Sequence, residues 1–282
     1  MVRGVGVTHE TSSGIYLDPT FYFDPMREGV ALNENVVVPD TISTRAGRRT
    51  FLTHQDSSGP LEFILDTTIA SFFLAAVTGG CSVTSGEVTI ELAPDDNRKT
   101  LPSISLYLNS LYFLRKIAGA GVKRVTIKSD GGPGNLPTIT AELVGGTETK
   151  TAADANLNVS SFNELGKILA NVTAAIGLAD ADETVGSEVI KTKSFEITIE
   201  PTFKEDPVIG ENGLPSDMYY PESWAFRFNL TFPYIPVNTK WLMRYMGSEV
   251  DPGVDGIPSE ITRIWDVYQD PDTIKFPLRV QA

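Results

Sequence analysis

The sequence predicts a mainly-β protein of antiparallel strands with a helix over one sheet face, and three observations carry that expectation. The first is the stretch "KTKSFEITIEPTFKEDPVIGENGLPSDMYYPESWAFRFNLTF" from Lys191 to Phe232. In it Phe195, Ile197 and Ile199 alternate with Ser194, Glu196, Thr198 and Glu200. Further on, Trp224, Phe226, Phe228, Leu230 and Phe232 alternate with Ala225, Arg227, Asn229 and Thr231. A period of two marks a strand with one buried face. The second observation is a hairpin in "VKRVTIKSDGGPGNLPTITAELVGG". Val125 and Ile127 share a face with Ile139, Ala141 and Leu143; Arg124, Thr126 and Lys128 share the other with Thr138, Thr140 and Glu142. The third is "NVSSFNELGKILANVTAAIGL", where Ser160 or Ser161 caps a helix over 160–177 and Phe162, Leu165, Ile168, Leu169, Val172 and Ile176 keep helical spacing.

The remaining elements fall around these. Residues 1–60 read as an extended N-terminal arm, rich in turn signals ("SSG", "DPT", "DPM", "VPD") with one short β-rich run at Val36–Val38. Leu61–Leu65 is a short strand. Asp66 or Thr67 then caps a helix whose stripe is Ile69, Phe72, Phe73, Ala76 and Val77, with Gly79 or Gly80 as its stop. "SGEVTIELAP" and "SISLYLN" alternate as strands. "PVNTKWLMRYMGS" echoes the first helix, Trp241-Leu242 before Gly247 matching Phe73-Leu74 before Gly79. Residues 251–282 form a C-terminal extension ending in "DTIKFPLRV", an edge strand because Pro277 is tolerable only at an edge.

Composition bounds the function. At 282 residues, 41% hydrophobic and 21% charged, the chain is an ordinary globular protein with room for a sizeable core. Its longest apolar run, Ile69–Val77, is too short to span a bilayer. The opening "MVRGVGVTHETSSG" lacks a signal-peptide core, and the single Cys81 allows no intrachain disulfide. A net charge of −13 argues against a nucleic-acid binder, which replaces phosphate counterions with basic side chains. It leaves open a protein that lets DNA pass without holding it. Within this acidic chain "RAGRR", with Arg45, Arg48 and Arg49, is a local positive patch suited to docking a second copy.

Catalytic patterns are not found. His9 and His54 stand outside any cluster, and there is no metal-ligand spacing, nucleophile elbow or Walker loop. "DGGPGNLP" lacks the Lys and following helix of a phosphate loop, and "DPGVDGIPSE" lacks calcium-loop spacing. The chain reads as a non-enzyme without cofactor or metal.

One feature asks for a purpose. About twenty residues separate the two strands of the 191–232 stretch, far more than antiparallel strands need, and structureless loops beyond about 12–15 residues are uncommon without a task.

The order of motifs "GPLEFILDTTIASFFLAAVTGG", "LPSISLYL", "AGVKRVTIKSDGG…PTITAELVGG", "KTKSFEITIEPTF" and "ESWAFRFNLTFPYIPVNTKWLMRYMGS" resembles that of the tail tube proteins of long-tailed bacteriophages. The resemblance covers roughly residues 55–250. It implies an antiparallel β-sandwich or partial barrel with a flanking α-helix over 61–250, whose copies form stacked rings, usually of six. The tube so built encloses the tape measure protein during assembly, meets tail terminator and distal tail proteins at its ends, and passes double-stranded DNA at ejection. The virion tail, assembled in the host cytoplasm, is the implied location. The resemblance also implies that the long loop, residues 202–223, joins one ring to the next through Lys204, Glu205, Asp206, Glu211, Asp217, Tyr219 and Tyr220, with Trp224 beside them. On this reading the polar faces line the lumen: Arg124, Thr126, Lys128, Thr138, Thr140, Glu142, Glu196, Thr198, Glu200, Arg227, Asn229 and Thr231. The alternatives are another virion part of the same fold, such as a tail terminator or distal ring, and a carbohydrate-binding β-sandwich, which would display a groove of exposed aromatics.

Overall fold

The computed structural model describes residues 2–12, 14–37, 51–84, 87–92, 101–110, 112–132, 135–152, 176–177, 189–190, 193–203 and 221–231. Along them run β1 (Val2–His9), β2 (Phe21–Phe23), β3 (Arg27–Glu28), β4 (Ala31–Val37), β5 (Phe51–Ile64), α1 (Thr67–Thr78), β6 (Gly79–Thr84) and β7 (Glu87–Leu92). There follow β8 (Ile104–Ser110), β9 (Phe113–Asp130), β10 (Thr138–Val144), β11 (Thr147–Ala152), β12 (Ile176–Gly177), β13 (Val189–Ile190), β14 (Ser194–Phe203) and β15 (Pro221–Thr231). Eleven strands share one sheet in the order β2-β1-β8-β9-β10-β5-β3; β11 and β14 also pair with β9, β15 with β14 and β4 with β5. β6 pairs with β7 and β12 with β13 in separate two-stranded ladders.

Two long strands of the antiparallel sheet change partners part-way along their length. β9 pairs with β8 and β11 through its first half and with β10 through its second. β5 likewise pairs with β4 through residues 51–58 and with β10 through 59–64. A strand that changes partners part-way must bend, and glycine supplies the bend. Gly119 (φ 73°) lies near the exchange in β9 and Gly59 (φ 142°) at the exchange in β5. A Cβ at Gly59 would overlap the Gly29 carbonyl, so the close approach of the two chains needs glycine there.

The core follows from the alternation. Val125, Ile127, Ile139, Ala141 and Leu143 are all buried, as the hairpin pattern predicts. In register they stack with β5: Leu61 opposes Ala141, which opposes Val125, and Phe63 opposes Ile139, which opposes Ile127. Phe63 carries this layer to Phe23 (5.9 Å between ring centroids) and to Phe73 of α1 (5.6 Å). The helix starts and stops as its sequence predicts. Asp66 Oδ1 accepts from the Thr68 and Ile69 amides at 2.7 and 2.8 Å, and Gly79 closes the last turn in the left-handed region, its N–H on the Ala75 carbonyl. Another of the last carbonyls, that of Val77, accepts from the Trp224 indole at 3.1 Å.

By Cα proximity the chain divides into two units. One is Met1–Lys128, Pro137–Ile168 and Ile197–Phe228; the other is Ser129–Leu136, Leu169–Glu196 and Asn229–Ala282. Within the second, the Lys193 amide donates to the Thr231 carbonyl and the Gly131 amide to the Lys193 carbonyl.

Several sequence expectations need correction. Residues 2–9 do not belong to an extended arm: β1 lies between β2 and β8, with Val5 and Val7 fully buried. Alternating valines in "VRGVGVTH" supply one apolar face, while Gly6 makes room for Pro19, which a Cβ there would strike. β5 begins ten residues before the expected Leu61 start. The helix over 160–177 does not extend to its predicted end, because Ile176 and Gly177 pair with Ile190 and Val189 as a strand. The long loop is shorter than 202–223, since β14 runs to Phe203 and β15 begins at Pro221. On β15 the apolar face is only partly covered: Phe226 keeps 41% of its surface exposed on a strand paired, among the described residues, with β14 alone.

Candidate functional site

Within the first unit the strand order brings the predicted polar residues of β9, β10, β14 and β15 together. β10, β9, β14 and β15 are consecutive neighbours, so the four strands form one ladder. Across the hairpin Thr138 opposes Lys128, Thr140 opposes Thr126 and Glu142 opposes Arg124. The Arg124 guanidinium donates to Glu142. From β9 the face continues to β14, where the hydroxyls of Thr126 and Thr198 lie 3.3 Å apart, although Thr198 is itself buried in this chain rather than open to solvent as its alternation predicts. From β14 it reaches β15: Arg227 Nη1 is 3.2 Å from Glu200 Oε2. In the second unit Asn229 Nδ2 donates to Glu196 Oε1 at 3.2 Å, and Thr231 stands two residues further along β15. Cross-strand pairs of this kind report a shared face, because successive side chains alternate sides.

The face extends one strand further than sequence alone gives. Glu62 of β5 opposes Thr140, and its carboxylate lies 3.8 Å from Lys128 Nζ. On its other side Glu62 opposes Arg27 of β3. The alternation Leu61, Glu62, Phe63 could have shown that Glu62 points away from the core. Which strand lies beside β10 is a long-range pairing with no trace in a local period.

Other titratable groups serve the fold. Glu10 accepts from Ser103 and Ser105 hydroxyls (2.7 and 2.6 Å) and from the Gly119 and Gly14 amides (both 2.8 Å), tying the chain after β1 to β8 and β9. His9 packs its ring 4.2 Å from that of Phe72. Burial pulls its pKa below the ordinary value, opposed by a backbone hydrogen bond at Phe72. Among the described residues no group of three His, Cys, Asp or Glu side chains could hold a metal ion, and no helix is long and apolar enough to cross a membrane. The loop candidates Lys204, Glu205, Asp206, Glu211, Asp217, Tyr219 and Tyr220 and the docking candidates Arg45, Arg48 and Arg49 lie outside the described residues, as do residues 160–175 of the expected helix, the "PVNTKWLMRYMGS" echo and the C-terminal edge strand.

The fold is that of a mainly-β protein whose β9-β10 hairpin carries a polar face backed by its own core. The chain belongs to the phage tail tube protein family, whose model matches residues 3–244. It is therefore a structural component of a phage tail. No curated protein matches the chain. One solved structure it is similar to, titled "Cryo-EM structure of the anti-feeding prophage (AFP) baseplate, 6-fold symmetrised", shares 12% identity over 53% of this chain and 91% of that chain, at a TM-score of 0.35. That likeness is too low to bear on function.

Proposed function

We propose that copies of this chain form rings, six to a ring, that stack into the tail tube through which the double-stranded genome leaves the virion. The observation that carries the reading is the ladder β10-β9-β14-β15, whose β9-β10 hairpin turns Val125, Ile127, Ile139, Ala141 and Leu143 to the core and Arg124 and Glu142 to the other face. Four such strands from each of six copies make about 24 strands, a circumference of about 115 Å and a backbone diameter of about 37 Å before tilt widens it. A ring of about twelve strands would span about 18 Å, too narrow for a duplex once side chains point inward. In this reading Arg124, Thr126, Lys128, Thr138, Thr140, Glu142, Glu196, Thr198, Glu200, Arg227, Asn229 and Thr231 line the bore. The segment between Phe203 and Pro221 reaches the neighbouring ring, and Arg45, Arg48 and Arg49 dock a neighbouring copy. Tape measure protein occupies the lumen during assembly, while terminator and distal proteins close the ends.

Two measurements test this. Negative-stain microscopy of the concentrated protein should show long hollow tubes; single rings that never stack would indicate a terminator or distal ring instead. In virions, Glu196→Lys with Glu200→Lys should permit assembly but slow genome release at low salt, with recovery as salt rises. Each ring of six would swing by about 24 charge units, and phosphates would bind where they should slide. Wild-type release at low salt would remove these residues from the bore.

A further inference from the structure

The polar face carries its cations in a particular arrangement. Lys128 pairs with Glu62 at 3.8 Å, Arg227 with Glu200 at 3.2 Å and Arg124 with Glu142. In each pair the cation is the more exposed side chain: 52% against 21%, 63% against 24% and 41% against 32%. The carboxylates are recessed beneath the groups that an approaching phosphate would meet first. Glu62 reaches its partner from β5, a strand outside the four-stranded ladder, and it also stands directly across from Arg27.

We infer that Glu62, Glu142 and Glu200 are masking residues, which cancel the outward cations of this face so that duplex DNA finds hydrogen-bond donors but no net positive charge. The separation within each pair is well inside the Debye length of about 8 Å at physiological salt, so a phosphate beyond that distance sees a compensated pair rather than a cation. Counterion release, the main source of non-specific DNA affinity, needs uncompensated Lys or Arg. Ion pairs whose cation stays in solvent contribute little to stability, so exchanging a carboxylate for its amide changes the field at the face and leaves the fold standing. A stabilising role alone would not require each cation to lie outermost. The inference deepens the bore reading and takes its biological setting from it, but the masking itself is a property of the isolated subunit.

The test uses the purified full chain carrying E62Q, E142Q and E200Q together, and a fluorescently labelled duplex of about 20 base pairs in low salt. Wild type should not bind measurably. The triple variant should bind at least about tenfold more tightly, with log K falling against log salt at a slope near −2.7 for three freed cations. Adding K128Q, R124Q and R227Q to the triple variant removes both partners of each pair and should abolish the binding. A triple variant with wild-type circular dichroism and melting that binds no better than wild type overturns the masking role. So does binding that survives removal of the three cations. Virions separate this from the bore reading. If variant subunits bind duplex while variant virions release their genomes at the wild-type rate, masking stands and the bore assignment falls. Absence of binding ends the masking role and leaves the bore assignment untouched.

Discussion

Arg115 grips Glu148 through two parallel bonds, Nε to Oε1 at 2.9 Å and Nη2 to Oε2 at 2.8 Å, with the carboxylate almost wholly buried. The pair joins β9 to β11, and Ser57 of β5 adds a third bond to Oε2 at 2.8 Å. Arg115 Nη1 also reaches the Val30 carbonyl at 2.6 Å and Glu28 at 3.5 Å. Two carboxylates thus share one guanidinium, and their pKa values move in opposite directions. Burial pushes Glu148 up, but bonds from Arg115 and Ser57 and the charges of Arg115 and Lys150 outweigh it, leaving it below its ordinary value. For Glu28, burial prevails over the more distant Arg115 charge and a bond from the Val30 amide, and its pKa is raised. Geometry decides between them: a bidentate contact below 3 Å compensates desolvation, and a single contact at 3.5 Å does not.

The two residues should therefore respond differently to neutralisation. Glu148 contributes stability above its unfolded pKa that is lost as pH falls through its depressed folded value. Glu28 has the reverse sign: its charged form is a cost above its folded pKa, relieved as pH falls. At about pH 7, E148Q should lose about 3 kcal/mol in urea unfolding, because it leaves a part-buried guanidinium with only the more distant Glu28 as counter-charge. E28Q should be neutral or slightly stabilising. Equal losses from both would show that the bidentate contact is not what separates them.

Asp66 offers a second separation, between a cap and a charge. Its Oδ1 satisfies two helix amides, while Oδ2 is buried with no hydrogen-bond partner among the described residues. Burial raises its pKa, and the bonds from the Ile69 and Thr68 amides oppose the rise. A raised carboxyl costs stability as pH climbs from the unfolded toward the folded value. D66A should lose about 1 kcal/mol at neutral pH through the missing cap. D66N keeps an acceptor for the amides and sheds the buried charge, so it should hold more of the stability and lose the pH dependence that the wild type shows above the ordinary carboxyl range. Thermal melts of both variants across that range measure this, and an asparagine as damaging as alanine would refute the account.

What the sequence disclosed depended on the distance over which it was encoded. The inward row Val125, Ile127, Ile139, Ala141 and Leu143 was legible because alternation and a turn are local. The helix cap at Asp66 and stop at Gly79 were legible for the same reason. β1 was hidden because glycines interrupt its alternation and turn signals follow it, although its pairing with β8 spans about a hundred residues and buries it. The polar face was legible strand by strand, but not the contact of β14 with β9 or the reach of Glu62 to Lys128. Registers between distant strands leave no period in the sequence.

The final prediction concerns the point where β5 changes partners. Gly59 has φ 142°, and the Cβ of an alanine would fall on the Gly29 backbone, which no rotamer change can move aside. The cost has two parts: an unfavourable backbone region for an L-residue and displacement of a neighbouring main chain. G59A should therefore lose more than about 3 kcal/mol, seen as a fall in Tm or as insoluble protein. Gly14 is the control. It also has positive φ, 80°, but nothing lies within 4 Å of its Cβ position, so G14A should lose only about 1–2 kcal/mol from the backbone alone. The comparison isolates the close approach from the dihedral. Because Leu61, Glu62 and Phe63 follow Gly59 within four residues, a shift there would also carry Glu62 away from Lys128. Duplex binding by whatever soluble G59A protein can be recovered should then rise above that of G14A. Stability of G59A within about 1 kcal/mol of G14A would mean that the β5 exchange does not depend on this contact.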